Sequence, residues 1–359
     1  MPAMDPENAL RRAVEAGLVV RTADPLNAET PISELIASVV TPTARFFVRN
    51  HFPMPVLDAD TWRLEVGGLV ERPLRLGLRE LRRMPTMTIA ATLECAGNGR
   101  ALLEPAVPGE RWGLGAVSTA EWTGVPLAEI LDRAGPRAGA REVLFRGADQ
   151  GTVEGHAEPI RFERSLSLGE ARRPDVVLAY AMNGEPLPVQ HGFPVRLVVP
   201  GWYAVASVKW LTEIEVIERA FAGHYQGEKY VYETEQHGVL VREPVTLQRV
   251  RALLVEPRPD EQVARGELTV RGAAWSGEAP IARVEVSVGE GRWQDARLLD
   301  APDHGWRWWE LSSSVDAPGV TTVRARATDR LGHHQPEHPA WNRLGYGNDA
   351  IQAVRVNIV

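Results

Sequence analysis

One cysteine, Cys95, stands among 359 residues. No disulfide can therefore form within the chain, and the thiol is left as a soft metal ligand, a nucleophile or a small buried hydrophobe. An excess of basic charge is also missing. The 47 acidic residues outnumber 40 Lys and Arg for a net charge of −7, which repels nucleic acid and anionic membrane surfaces. No apolar run approaches the ~18–20 residues that span a bilayer, so neither a nucleic-acid nor a membrane partner is expected. Arg11-Arg12 precede a short segment, Ala13 to Val20, that contains Glu15 and lacks a small-residue cleavage pattern. Met1 to Val20 thus reads as a short amphipathic helix or arm, and the expected location is cytoplasmic.

What is present divides the chain. Its length exceeds one comfortable core, so two domains are expected after an Ala/Glu/Arg-rich arm over 1–40. From Thr41 onward, short β-like runs alternate with Gly/Pro turns and a few helices. Trp62-Arg63-Leu64-Glu65-Val66 has the period of a half-buried strand. Leu127, Ile130, Leu131 and Ala134 share one helical face, opened by Pro126 and stopped by Gly135-Pro136. Residues 223–245 are polar and read as a connector, which sets a first domain at 41–245. Over 246–359, seven alternating runs at regular spacing, among them Glu267 to Trp275 and Val320 to Ala327, predict an immunoglobulin-like β-sandwich. The fold class is α+β followed by all-β.

Four segments of the first domain concentrate functional groups. They are Arg45 to Pro53, the loop Glu94-Cys95-Ala96-Gly97-Asn98-Gly99-Arg100, Arg146 to Asp149, and a run from Tyr180 through His191-Gly192-Phe193-Pro194-Val195-Arg196 to Ser207-Val208-Lys209-Trp210-Leu211. Together they place a thiolate, two histidines, several arginines and a lysine on loops bounded by Gly and Pro. Arg clamps oxyanions bidentately and Lys adds a point charge, so the set forms a cradle for an anion or phosphate. A thiolate beside such a cradle points to a metal held jointly by protein and an anionic organic ligand.

Arg-Asn-His, Glu-Cys-Ala-Gly-Asn, Met-Asn-Gly-Glu-Pro-Leu-Pro, His-Gly-Phe-Pro-Val-Arg and Val-Lys-Trp-Leu, in this order, resemble the sulfite oxidase family of molybdopterin enzymes. The resemblance runs from about Thr41 to the C-terminus. It implies molybdenum with one molybdopterin, and Cys95 as the protein's ligand to the metal. Phe47, Arg49, His51, Asp149, His191, Arg196, Ser207, Val208 and Lys209 match positions that hold the pterin and its phosphate. Tyr230 falls where the family places a tyrosine beside the metal, with Tyr232 as the alternative register, and Arg49 and Arg100 match arginines of the oxyanion pocket. The implied reaction is oxygen-atom transfer to or from a small oxyanion, with sulfite oxidation to sulfate first and reduction of nitrate, another oxyanion or an S-oxide second. No haem segment is expected, so electrons pass to or from a separate partner, a cytochrome or oxygen. The C-terminal domain implies a homodimer.

One position departs from the family. Sulfite-oxidising relatives carry a third arginine in a Trp-Asn-x-Arg-Gly segment, whereas this chain reads Trp341-Asn342-Arg343-Leu344-Gly345. Adjacent residues of an extended segment point to opposite sides, so Arg343 is expected outside the pocket. Two other readings belong to different classes: a cysteine hydrolase pairing Cys95 with His51 or His191, and a catalytically altered homologue that only binds the cofactor. His333-His334 with His338 reads as a solvated loop, Trp306 to Trp309 as strand packing, and Tyr225 as structural.

Overall fold

The computed structural model describes residues 7–359. Leu64 and Val66 point inward from the strand Arg63–Gly68 while Arg63 and Glu65 face out, as the alternation predicts. That strand pairs in parallel with Leu211–Ile217, within a sheet ordered Leu74–Gly77, Arg63–Gly68, Leu211–Ile217, Glu142–Gly151, Ile160–Ser167. A second sheet runs Glu185–Pro186, Val177–Met182, Val117–Pro126, Met87–Glu94, with Arg196–Val198 also paired to Val177–Met182. The helix Leu127–Ala134 buries all four residues of its predicted face. It ends at Gly135, whose φ of +70° lets its N–H return to the Leu131 carbonyl at 2.8 Å.

Six residues separate Pro244 from the first strand of the C-terminal sheets, Arg251–Glu256. It joins Gly266–Trp275, Arg307–Val315 and Arg297–Leu298 in one sheet. Gln262–Val263, Gln352–Ile358, Gly319–Asp329, Ile281–Val288 and Gln294–Asp295 form the other. Val270, Val284, Val286, Trp309, Val323 and Val356 fill the space between them, the sandwich expected from alternation.

Two expectations about segments need correction. Residues of the 1–40 arm that the structure describes are built into the first domain. The helix Glu7–Glu15 and the hairpin Val19–Thr22 with Asn27–Glu29 pack on Val48, and Ala28 and Val48 exchange backbone hydrogen bonds of 2.9 and 2.8 Å. The stretch 223–245 is likewise no plain connector. It contains a π-helical turn, His224–Glu228, and a hairpin of Val231–Gln236 with Val239–Pro244, and it buries Tyr225 and Tyr230. Polar composition concealed these aromatics because the residues between them, Gln226, Gly227, Glu228 and Lys229, are polar, charged or glycine.

The sandwich also reaches back to the strand that leads into the Cys95 loop. Glu94 accepts from Arg251 and from the Trp275 indole, both at 2.9 Å, and Trp306 N–H donates to Thr92 Oγ1 at 2.7 Å. Gly347 N–H donates to the Ala96 carbonyl at 2.8 Å, and Asn348 to the Gly99 carbonyl at 2.8 Å. Glu94 and Arg251 are both buried. Removing one member of such a pair strands a charge, so Arg251→Ala is expected to destabilise the protein by about 3–5 kcal/mol. Chemical denaturation measures this, and a loss below about 1 kcal/mol would show that the contact carries no more than a surface ion pair does.

Candidate active site

Cys95 follows the strand Met87–Glu94, where its N–H is held by the Ala116 carbonyl at 2.9 Å. The loop then turns tightly: Asn98 N–H returns to the Cys95 carbonyl at 2.8 Å, and Gly99 takes a φ of +81°. A Cβ at Gly97 would stand 2.5 Å from Arg100 Nη1, so a side chain there would displace the guanidinium from its present position. The glycines thus let Arg100 fold back over its own loop. Its guanidinium donates to the Glu110 carbonyl at 2.9 Å and the Leu344 carbonyl at 3.2 Å, and lies 5.0 Å from the centre of the Tyr346 ring.

A cleft opens beside Cys95. Of the residues singled out in the sequence, Phe47, Arg49, His51, Cys95, Asp149, His191, Arg196, Ser207, Lys209 and Tyr230 all line it. Two do not. Val208 is fully buried in the core and meets its neighbours through backbone hydrogen bonds with Leu197 and Ala206. Arg100 stands beside the cleft rather than on its wall, close enough that its charge acts on Cys95. Burial raises the Cys95 thiol above its ordinary value, while Arg49 and Arg100 pull it down.

The cradle is assembled from distant segments. Lys209 Nζ donates to Asn50 Oδ1 and, at 2.9 Å, to the Gln190 carbonyl. Arg196 donates to the carbonyls of His191 and Ser207, each at 3.0 Å, and its guanidinium lies 4.8 Å from the centre of the Trp122 ring. Burial pushes Arg196 down to about 9 and Asp149 up to about 6, with Lys209 opposing the latter shift. Three buried polar atoms of the lining have no protein partner: Asp149 Oδ1, Gln190 Oε1 and His191 Nε2. Orphaned buried polar atoms are costly, and three gathered in one cleft match the hydrogen-bonding edge of a polar ligand. With a soft thiol, the Arg196 guanidinium, the Lys209 amine and these three atoms, the site fits a metal–pterin–phosphate group.

Tyr230 meets His51, its OH 2.7 Å from Nε2. Burial keeps Tyr230 protonated by raising its pKa, although Arg49 lowers it. Burial also holds His51 well below the ordinary histidine value, assisted by the positive charges of Arg49, Lys209 and Lys229. The pair is therefore a protonated phenol hydrogen-bonded to a neutral imidazole, whose tautomer sets which of the two donates. The sign follows: His51 lowered means no proton is taken up as pH falls through ~6.5, and turnover should show no step there. A step near 6.5 that vanishes in His51→Asn would contradict this assignment.

Several residues escaped the sequence reading. Asn50 and Gln190 sit inside the motifs already noted, and only their contacts with Lys209 reveal their use. Tyr346 stacks on Tyr230 with ring centres 4.8 Å apart and belongs to the other domain. Tyr225 supports His51 from 4.6 Å. Tyr232, the alternative register, lies outside the cleft beneath Arg249. Arg343 is exposed and binds Glu233 through two hydrogen bonds of 2.8 and 2.9 Å, while Leu344 is buried in the first domain's core. His333 binds Asp329 at 3.1 Å and His334 its neighbouring Gly332 carbonyl, so those histidines do not converge.

Comparison with known proteins agrees with this geometry. Residues 51–225 match the oxidoreductase molybdopterin binding domain, and 243–359 match the Mo-co oxidoreductase dimerisation domain. Sulfite oxidase from Gallus gallus is 38% identical over 92% of this chain and 75% of its own length. Sulfite oxidase from Arabidopsis thaliana is 32% identical over 95% of this chain and 94% of its own. Among solved structures, the sulfane dehydrogenase SoxCD from Paracoccus pantotrophus superposes with a TM-score of 0.80 at 29% identity, covering 92% of this chain and 84% of that one.

Proposed function

Because the chain belongs to the sulfite oxidase family of molybdopterin-dependent oxidoreductases, we propose that it oxidises sulfite to sulfate at the Cys95 cleft and passes the electrons to a separate acceptor. The observation that carries this reading is the company of Cys95: two arginines and a protonated tyrosine around one buried thiol. When bound, the molybdenum–pterin group supplies two-electron oxygen-atom transfer. The protein supplies the rest. Cys95 would hold the metal, while Asp149, Gln190 and His191 offer the orphaned atoms that would orient the pterin. Arg196 and Lys209 are placed to neutralise its phosphate. Arg49 and Arg100 attract the anionic substrate in a setting with little water, where charge-assisted contacts are strongest. The Tyr230 hydroxyl, held by His51, is a proton-bearing group of the same cleft. The Mo-co dimerisation domain supports a pair of identical chains.

Leu344 separates this site from relatives with a third arginine. With two cations rather than three, sulfite should bind weakly and with steep salt dependence. Leu344→Arg is expected to lower the Michaelis constant for sulfite by roughly ten-fold, the worth of one charge-assisted hydrogen bond. Arg343→Ala should change it little, since Arg343 is spent on Glu233 at the surface. Steady-state assays of sulfite, nitrate and sulfoxides with artificial acceptors and donors test both the substrate and these variants. Turnover of nitrate or a sulfoxide in place of sulfite would reject the proposed direction.

A further inference from the structure

A second group of ligand-type side chains lies outside the cleft. His156, on the loop after the strand Glu142–Gly151, and His224 with Glu228, on the π-helical turn, direct three basic atoms at one point. His156 Nε2 is 3.2 Å from His224 Nδ1, His224 Nδ1 is 3.0 Å from Glu228 Oε2, and His156 Nε2 is 3.9 Å from that same oxygen. Among the described residues this is the group whose three ligand atoms all fall within 4.8 Å of one another. We propose that it binds one divalent transition-metal ion of zinc-like preference.

The size of the triangle supports this. In a tetrahedral site, bonds of about 2.0–2.1 Å place neighbouring ligand atoms about 3.3 Å apart, and the three edges here straddle that value. Hydrogen bonding alone serves the cluster poorly. His224 Nδ1 faces both the imidazole nitrogen and the carboxylate oxygen, and one proton on it can satisfy only one of them. A cation satisfies all three lone pairs together. Two imidazoles and one carboxylate favour zinc, cobalt, nickel or copper over magnesium or calcium, which prefer oxygen alone. Two of the ligands are spaced four residues apart on one turn, and the third comes from 68 positions earlier. The ion would therefore clip the loop to the turn. Glu228 is about half exposed, which leaves an entry path and a coordination position for water. The turn also carries Tyr225, whose ring packs on both His224 and His51, so the clip bears on the wall of the catalytic cleft.

Cobalt(II) titrated into the untagged full-length holoenzyme tests the site by difference absorption, with calorimetry of zinc binding beside it. The expected result is one equivalent per chain, intense visible bands of a four-coordinate ion, and displacement of cobalt by zinc. His156→Ala and Glu228→Gln should each weaken binding by roughly 10–100-fold, and Cys95→Ser should leave it unchanged. Absence of saturable binding, wild-type affinity in both cluster variants, or loss of binding in Cys95→Ser would each overturn the proposal.

Discussion

Cys95→Ser should yield a folded protein with activity at background. The side chain is small and packs in a cluster with Phe47, Leu93, Trp112 and Trp122, so exchanging sulfur for oxygen removes little packing. What it removes is the soft ligand. A serine hydroxyl is a harder and far weaker acid than a thiol, so the metal loses its protein anchor and the electronic character that the thiolate confers. Arg196, Lys209, Asp149 and His191 are untouched, and the pterin is expected to remain partly bound. Metal analysis, released-pterin fluorescence and circular dichroism on one preparation separate these effects. Wild-type protein from a cofactor-producing host should contain near-stoichiometric molybdenum. Full activity in the serine variant, or wild type without molybdenum, would refute the assignment.

Tyr230→Phe is expected to lower kcat by roughly 10²–10³-fold, the usual consequence of removing one positioned donor from a charge-developing site. Phenylalanine keeps the stack on Tyr346 and the burial, so the variant isolates the hydroxyl and its contact with His51. The loss should appear in kcat more than in KM, because Arg49 and Arg100 still attract the anion. A near-normal kcat would show that the hydroxyl serves only to complete the hydrogen bond to His51.

Much of the site was legible because its residues lie in short motifs whose chemistry is local. A thiol next to a Gly-Asn-Gly turn, and His, Arg and Lys on Pro-bounded loops, announce a metal and an anion without knowledge of the fold. Val208 is the matched position whose side chain lies in the core and not in the cleft. It sits between Ser207 and Lys209, and the motif cannot say which side chains of a run face the ligand. The π-helical turn and the hairpin after Gly223 were hidden because their buried aromatics are separated by charged residues, which gives no period of either helix or strand.

The strands and helices with a clear apolar period, the β-sandwich and the candidate cysteine were determined by the sequence, since apolar periodicity and turn residues act over a few positions. Only the tertiary structure decided which side chains share a space. Tyr346 and the carbonyl of Leu344 come from the second domain to meet Tyr230 and Arg100, more than a hundred positions away. Arg343 turns outward because Glu233, on a hairpin of the first domain, is there to receive it. These contacts depend on how two folded surfaces meet, and such complementarity leaves no periodic trace in the chain.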